Sequence, residues 1–190
     1  MREQAIEILN QNLTSEHLIK HSYAVEAVMK ALAEKLEPEN VLEWQIAGLL
    51  HDLDSDSLDY KNNPEESKRH GIKSVEILQA QNFGTEKIYQ AIKSHNEDCN
   101  GVKRESIMDK AIYAADPITG FITAIALIYP DKKISSVKVK SITKRMKELK
   151  FAAGANRDAM RSIEDIGIPF NEFAEISLKA MQQISDTLGL

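Results

Sequence analysis

Five histidines are spread along the chain, and three of them fall where helical spacing would bury them. His21 lies three residues after Leu18 and four before Val25, on the apolar stripe of its segment. His51 follows Ala47 by four at the end of the apolar run QIAGLL, and His95 follows Ile88 and Ile92 by seven and three. Asp116 follows Ile112 by four inside the apolar stretch AIYAADPITG. One buried histidine is usually a satisfied core residue. A buried Asp without a partner is harder to accommodate, because removing a carboxylate from water is expensive. Imidazoles and carboxylates pointing inward from different helices therefore suggest a shared cation, and this donor mixture suits Mn, Fe, Co, Ni or Zn. The stretch GLLHDLDSD adds Asp52, Asp54 and Asp56 at what reads as a helix C-terminus. Carboxylates are unfavourable at that negative pole unless something positive meets them.

The elements that must position these residues read as helices throughout, and no stretch alternates convincingly as a strand. A first amphipathic piece spans Arg2–Asn12; a second helix starts near Thr14 or Ser15, either able to cap it, and runs to about Lys35. Pro38 suits the first turn of a third helix ending near His51. The following LDSDSLDYKNNPEESKRH, rich in turn formers and acids, reads as a loop. Helical spacing returns over Gly71–Gln81, Thr85–Ser94 and Ser106–Tyr129, the last with a bend expected near Pro117. Shorter helices are expected around Val139–Leu149, Arg157–Ile166 and Asn171–Leu188. The expectation is a compact all-α fold, with residues 1–190 forming a single domain: a metal-binding core over about 15–120 and a C-terminal helical extension over about 131–190.

At 190 residues the chain can bury a sizeable core, and its 43% hydrophobic, 28% charged composition is that of an ordinary globular protein. A formal net charge of −5 argues against wholesale binding to nucleic acid or an anionic membrane. The single cysteine, Cys99, cannot form an internal disulfide, and the charged N-terminal segment has no apolar core of a signal peptide. A cytoplasmic setting is the expectation.

Taken in order, these segments resemble the HD superfamily of metal-dependent phosphohydrolases. The pattern is a His, an adjacent His-Asp pair and a distant Asp: His21 in IKHSYAVEAVM, His51-Asp52 in AGLLHDLD and Asp116 in AIYAADPITG. His70 in RHGIKSVEIL and His95 in IYQAIKSHNE are similar to the extra histidines of members with two-metal centres. The resemblance spans roughly Ser15–Gly120. It implies one metal on His21, His51, Asp52 and Asp116, with Asp52 bridging to a second metal on His70 and His95. His17, one turn from His21, competes as the first ligand; the Ser22 that follows His21 favours His21. One or two divalent ions are implied, from Fe, Mn, Ni, Co, Zn or Mg.

Such a centre would lower the pKa of bound water from about 15.7 towards neutrality and hydrolyse a phosphoester or phosphoanhydride. The expected substrate is a small phosphorylated metabolite, a nucleotide first; the alternative is a non-catalytic metal- or nucleotide-binding regulatory module. Several HD hydrolases continue the doublet as His-Asp-x-Gly-Lys, the lysine helping to hold phosphate. This chain instead continues Leu53, Asp54, Ser55, Asp56, and it lacks the Gly-Tyr-Pro signature of cyclic-dinucleotide phosphodiesterases. Asp52 and Asp54 are the candidate catalytic carboxylates, Asp54 as a proton acceptor or an outer-shell partner of a ligand. Replacement cations for phosphate could come from Lys68 and Arg69 beside His70, or from Arg157 in FAAGANRDAM. The basic stretch Lys132–Lys150 has no interleaved aromatics and reads as a solvated face rather than a nucleic-acid track. The C-terminal helices are expected to shape the substrate pocket or the surface of a homodimer.

Overall fold

The computed structural model describes every residue from Met1 to Leu190, and all of its regular structure is helical. The α-helices are α1 (Arg2–Asn12), α2 (Glu16–Leu36), α3 (Val41–Leu50), α4 (Pro64–Arg69), α5 (Ile72–Ala80) and α6 (Glu86–Ser94), followed by α7 (Glu97–Asn100), α8 (Ile107–Leu127), α9 (Val139–Arg145), α10 (Arg157–Arg161), α11 (Phe170–Gln183) and α12 (Ser185–Leu188). Short 3-10 turns at Pro38–Asn40, Ile134–Ser136 and Ser162–Ile166 complete the set. The chain is all-α, as its periodicity implied.

The two longest helices, α2 and α8, form the frame. Helix α2 packs on α3, α8 and α11, while α6 bridges α3 and α8. The α2–α3 contact depends on Gly48: a Cβ there would lie 2.9 Å from the Val25 carbonyl oxygen and 3.1 Å from the Glu26 Cα. Any side chain would push apart the two helices that carry His21 and His51. Arg2 of α1 grips the buried Glu26 of α2 through two bonds, of 2.6 and 3.0 Å, and so satisfies an otherwise costly charge. Helix α8 starts with a capping box between Ser106 and Asp109 and continues unbroken through Pro117.

The C-terminal helices do not stand apart. Ile142, Met160, Ile163, Phe173 and Leu178 belong to the same apolar cluster of 47 buried residues as Leu9, Val28 and Trp44. The basic stretch is partly solvated, but Lys140, Lys144 and Lys147 join Arg161 around a groove of about 550 Å³ that shares no lining residue with the cavity described below. No helix is long and apolar enough to cross a membrane.

Two expectations need correction. The segment from Leu53 to His70 is not all loop, because α4 occupies its last third. Asn63 caps α4 by accepting from Glu65 N, Pro64 takes the first turn, Glu65 and Glu66 follow, and Lys68 and Arg69 close it. Those are full start and stop signals, yet none of the six residues is buried, so no apolar period marks them. The expected Asn171–Leu188 helix divides into α11 and α12 at Ile184.

Ser15 takes the N-cap position of α2 but makes no side-chain cap bond. Its hydroxyl instead donates to Asp56 Oδ1 at 2.5 Å, while Asp56 Oδ2 accepts the backbone N–H of Thr14 at 2.7 Å and of Ser15 at 2.9 Å. Asp56 thus ties the segment after α3 to the start of α2. These bonds, that from Ser15 first, hold its carboxyl down to about 2 against an ordinary value of 3.8. The contribution should be present above about pH 4 and be lost as pH falls towards 2. Solvent screening keeps it small: Asp56→Ala should cost about 0.5–1 kcal/mol at neutral pH. Denaturant titrations of both proteins should converge below pH 2.

Candidate metal centre

Six donor residues from five places in the chain meet in one cluster. His21 comes from the second turn of α2; His51 and Asp52 follow α3, His70 ends α4, His95 ends α6, and Asp116 lies mid-way along α8. Asp52 is common to two groups with atoms close enough to hold an ion, one with His21 and His51, the other with His70 and His95. Asp52 Oδ1 lies 3.4 Å from His51 Nε2, 3.3 Å from His70 Nε2 and 3.7 Å from His95 Nε2, and Oδ2 lies 3.7 Å from His21 Nε2. Asp116 Oδ1 joins the first group, 3.1 Å from His21 Nε2 and 4.0 Å from His51 Nε2. Donors about 2.1 Å from a common ion are separated by roughly 3–4 Å, so the spacing fits.

Each imidazole is oriented by a bond at its other nitrogen. His51 Nδ1 donates to Gly48 O at 2.9 Å, and His95 Nδ1 donates to Ile92 O at 2.5 Å. These two histidines use one device: each occupies the C-cap of its helix and turns back on the carbonyl three residues earlier. His70, the C-cap of α4, is bound through Nδ1 to Asp54 Oδ1 at 2.7 Å. His21 Nδ1 lies 3.1 Å from Thr119 Oγ1, whose own proton goes to the Asp116 carbonyl. All four rings therefore present Nε2 to the carboxylates. The result is an electrostatic deficit: His51 Nε2 is buried without a hydrogen-bond partner, and the Nε2 atoms of His70 and His95 face each other at 3.2 Å. A cation removes that conflict.

The titration of the groups reflects the same crowding. Burial opposes a charged His70, but Asp52 and Asp54 outweigh it and raise its pKa to about 10. Burial, then the charges of His70 and His51, push His95 down to about 4. For Asp52 burial works upward, yet His51, His70 and His21 hold the carboxyl well below its usual range.

Asp54 sits behind the centre. Both oxygens are committed, Oδ1 to His70 and Oδ2 to the backbone N–H of Gly71 at 2.8 Å and of Ser74 at 3.2 Å, and the residue is fully buried. It does not reach the cavity, so it positions His70 and is not placed to take a proton from water there. Gly71 makes this possible with φ +81°, where a Cβ would lie 2.8 Å from Ile92 O. Asn96 and Asn100 fix the His70 carbonyl from the other side.

A cavity of about 900 Å³ opens over Asp52, His21, His70, His95 and Asp116. His21 and Asp116 keep 21% and 37% of their side-chain surface exposed, so that is the open edge of the centre. The expected phosphate cations are elsewhere. Lys68 pairs with Glu65 and Arg69 with Glu76, each at 2.6 Å, and neither lines the cavity. Arg157 donates to the carbonyls of Phe151, Ala152 and Ala155 and lies 4.7 Å over the Phe121 ring, so it pins the 151–156 turn and does not line the cavity. His17 lines the cavity but belongs to neither donor group. Residues missed in the sequence are Thr119, Tyr60 and Lys61. Tyr60 stacks flat on His70, with centroids 4.1 Å apart and planes at 5°. Thr119 lies three residues beyond Asp116, a helical spacing that could have drawn attention to it.

A family model described as HD domain matches residues 18–119, more than half of the chain. The protein belongs to the HD domain family. No curated protein and no solved structure gives a significant match. HD domains are in general metal-dependent phosphohydrolases that bind divalent metals; both donor groups fall within the matched range, and α9–α12 lie wholly beyond it.

Two outcomes are expected of the HD centre. Asp54→Asn leaves every Nε2-bearing residue in place but removes the charge behind His70, and should weaken divalent-metal binding by about 10- to 100-fold, measured by calorimetry. His70 holds a proton up to about pH 10 without metal, and a metal taken up on its Nε2 would have to displace that proton. Apparent metal affinity should therefore rise with pH across the neutral range, with proton release measurable in buffers of different ionisation enthalpy.

Proposed function

We propose that this HD domain hydrolyses a phosphoester or phosphoanhydride bond of a small phosphorylated metabolite, with a nucleotide as the leading class. The reading is carried by one observation: two His/Asp donor groups share Asp52 on the floor of an open cavity. A purely structural site would close its coordination shell and would not need a large cavity beside it. When bound, the metal ions would supply a hydroxide nucleophile at neutral pH and stabilise charge on the phosphoryl oxygens.

The chain's own residues have separable roles. His21, His51 and Asp116 would hold one ion, His70 and His95 the other, and Asp52 both. Asp54, Thr119 and the Gly48 and Ile92 carbonyls keep the imidazoles in the tautomer that leaves Nε2 free. Tyr60 remains a neutral phenol beside the centre, since burial, and then the Asp52 charge, push its pKa up to about 12.

The cavity supports an organic group larger than phosphate alone, because about 900 Å³ lies at the upper end of small-molecule sites. Leu18, Pro117, Leu127, Ala155 and Leu188 provide apolar wall, and Asn96, Thr123 and Asn156 provide polar points. That wall is drawn from the matched region and from the C-terminal helices alike, which supports reading residues 1–190 as one domain.

Purified protein should carry divalent metal and release phosphate or a phosphorylated fragment from at least one member of a panel. The panel comprises mononucleotides, dinucleoside polyphosphates, cyclic nucleotides and sugar phosphates. Asp52→Ala should lose metal and activity together. Full activity in a metal-free Asp52→Ala protein would sink the reading, and a metal-loaded wild type inert on the whole panel would favour a regulatory module.

A further inference from the structure

We infer that Lys61, presented beside Tyr60 on the segment between α3 and α4, is the cation that receives the substrate's phosphoryl oxygens in the cavity over the donor cluster. The inference rests on the phosphohydrolase reading and adds to it the residue that positions the anion.

Two lysines line the cavity, Lys20 and Lys61. Lys20 has a carboxylate partner one helical turn away: its Nζ lies 2.7 Å from Glu16 Oε1. Lys61 has no carboxylate partner, although the segment around it is rich in acids. Each of those acids is occupied elsewhere. Asp54 holds His70, Gly71 and Ser74; Asp56 holds Thr14 and Ser15; Asp59 Oδ1 accepts from Asn62 Nδ2 at 2.8 Å. The carboxylates that follow the His-Asp doublet thus accept from backbone, amide, hydroxyl and imidazole donors, and none of them forms an ion pair with Lys61.

The turn also aims that charge. Asp59 N donates to Glu66 Oε2 at 2.6 Å, and Asp59 O accepts from Asn63 N at 2.9 Å, which fastens the turn to the start of α4. Tyr60 then lies flat on His70, whose Nε2 is 3.3 Å from Asp52 Oδ1, so the residue before Lys61 is in register with the donor cluster. The Lys61 ammonium sits 5.7 Å from the Tyr60 ring centroid. A compact ammonium on a flexible stem can hold a phosphoryl group as a point charge, where an arginine would use its planar fork. The other nearby cations are ruled out by their contacts: Lys68, Arg69 and Arg157 are held by Glu65, Glu76 and backbone carbonyls.

The test is inorganic phosphate binding to the manganese-loaded full chain by calorimetry, with manganese stoichiometry measured on every protein. Lys61→Ala should weaken phosphate binding about tenfold or more with manganese content unchanged. Lys61→Arg should retain most of the affinity, and Lys68→Ala should match the wild type. Equal phosphate affinity in wild type and Lys61→Ala overturns the assignment of Lys61 and leaves the phosphohydrolase reading standing. A manganese-loaded wild type that binds no phosphate overturns that reading, and the role of Lys61 with it.

Discussion

Four imidazoles are held with Nδ1 already engaged, so their free Nε2 atoms have nowhere to turn but toward two carboxylates and one another. That constraint organises the structure. Three of the histidines stand at helix C-caps, where the ends of α3, α4 and α6 bring partial negative charge to the same place. Carbonyl poles, two carboxylates and the unpartnered Nε2 of His51 together make a region suited to a cation. The close approach of α2 to α3 at Gly48 and the left-handed turn at Gly71 are the backbone conditions for bringing these ends together.

The acidic run after the His-Asp doublet serves this arrangement in several ways. Asp52 belongs to the donor cluster, Asp54 buttresses His70 from behind, and Asp56 fastens the segment to the start of α2. The three carboxylates sit two residues apart and have three different surroundings. The turn that carries Tyr60 and Lys61 to the cavity's edge is fastened separately, by Asp59 N to Glu66 and Asn63 N to Asp59 O. The C-terminal helices close the other side, with Arg157 spending its hydrogen bonds on the 151–156 turn so that Ala152, Gly154 and Ala155 form wall.

Much of this was legible from residue types and spacing. The apolar period marked α1, α2, α3, α5, α6 and α8 to within a few residues, because each buries one face in the common core. His21, His95 and Asp116 could be seen pointing inward because polar side chains on an apolar stripe must be accounted for. Helix α4 was not visible, since nothing on it is buried and a polar helix has no period to detect. Lys68 and Arg69 were misleading for a related reason: proximity in sequence to His70 says nothing about the face a short helix turns outward, and both face Glu partners.

The sequence by itself determined the helical class, the inward histidines and carboxylates, and the family pattern, because these depend on local periodicity and on residue types whose burial demands a partner. Tertiary structure alone decided that Asp54 acts from behind His70, that Lys68 and Arg69 turn to Glu65 and Glu76, and that Lys61 lines the cavity without an ion-pair partner. Those facts depend on which atoms of distant segments lie within 3–4 Å of one another. Linear spacing specifies which face of a helix a side chain occupies; only the packing of that helix against others specifies what the side chain meets.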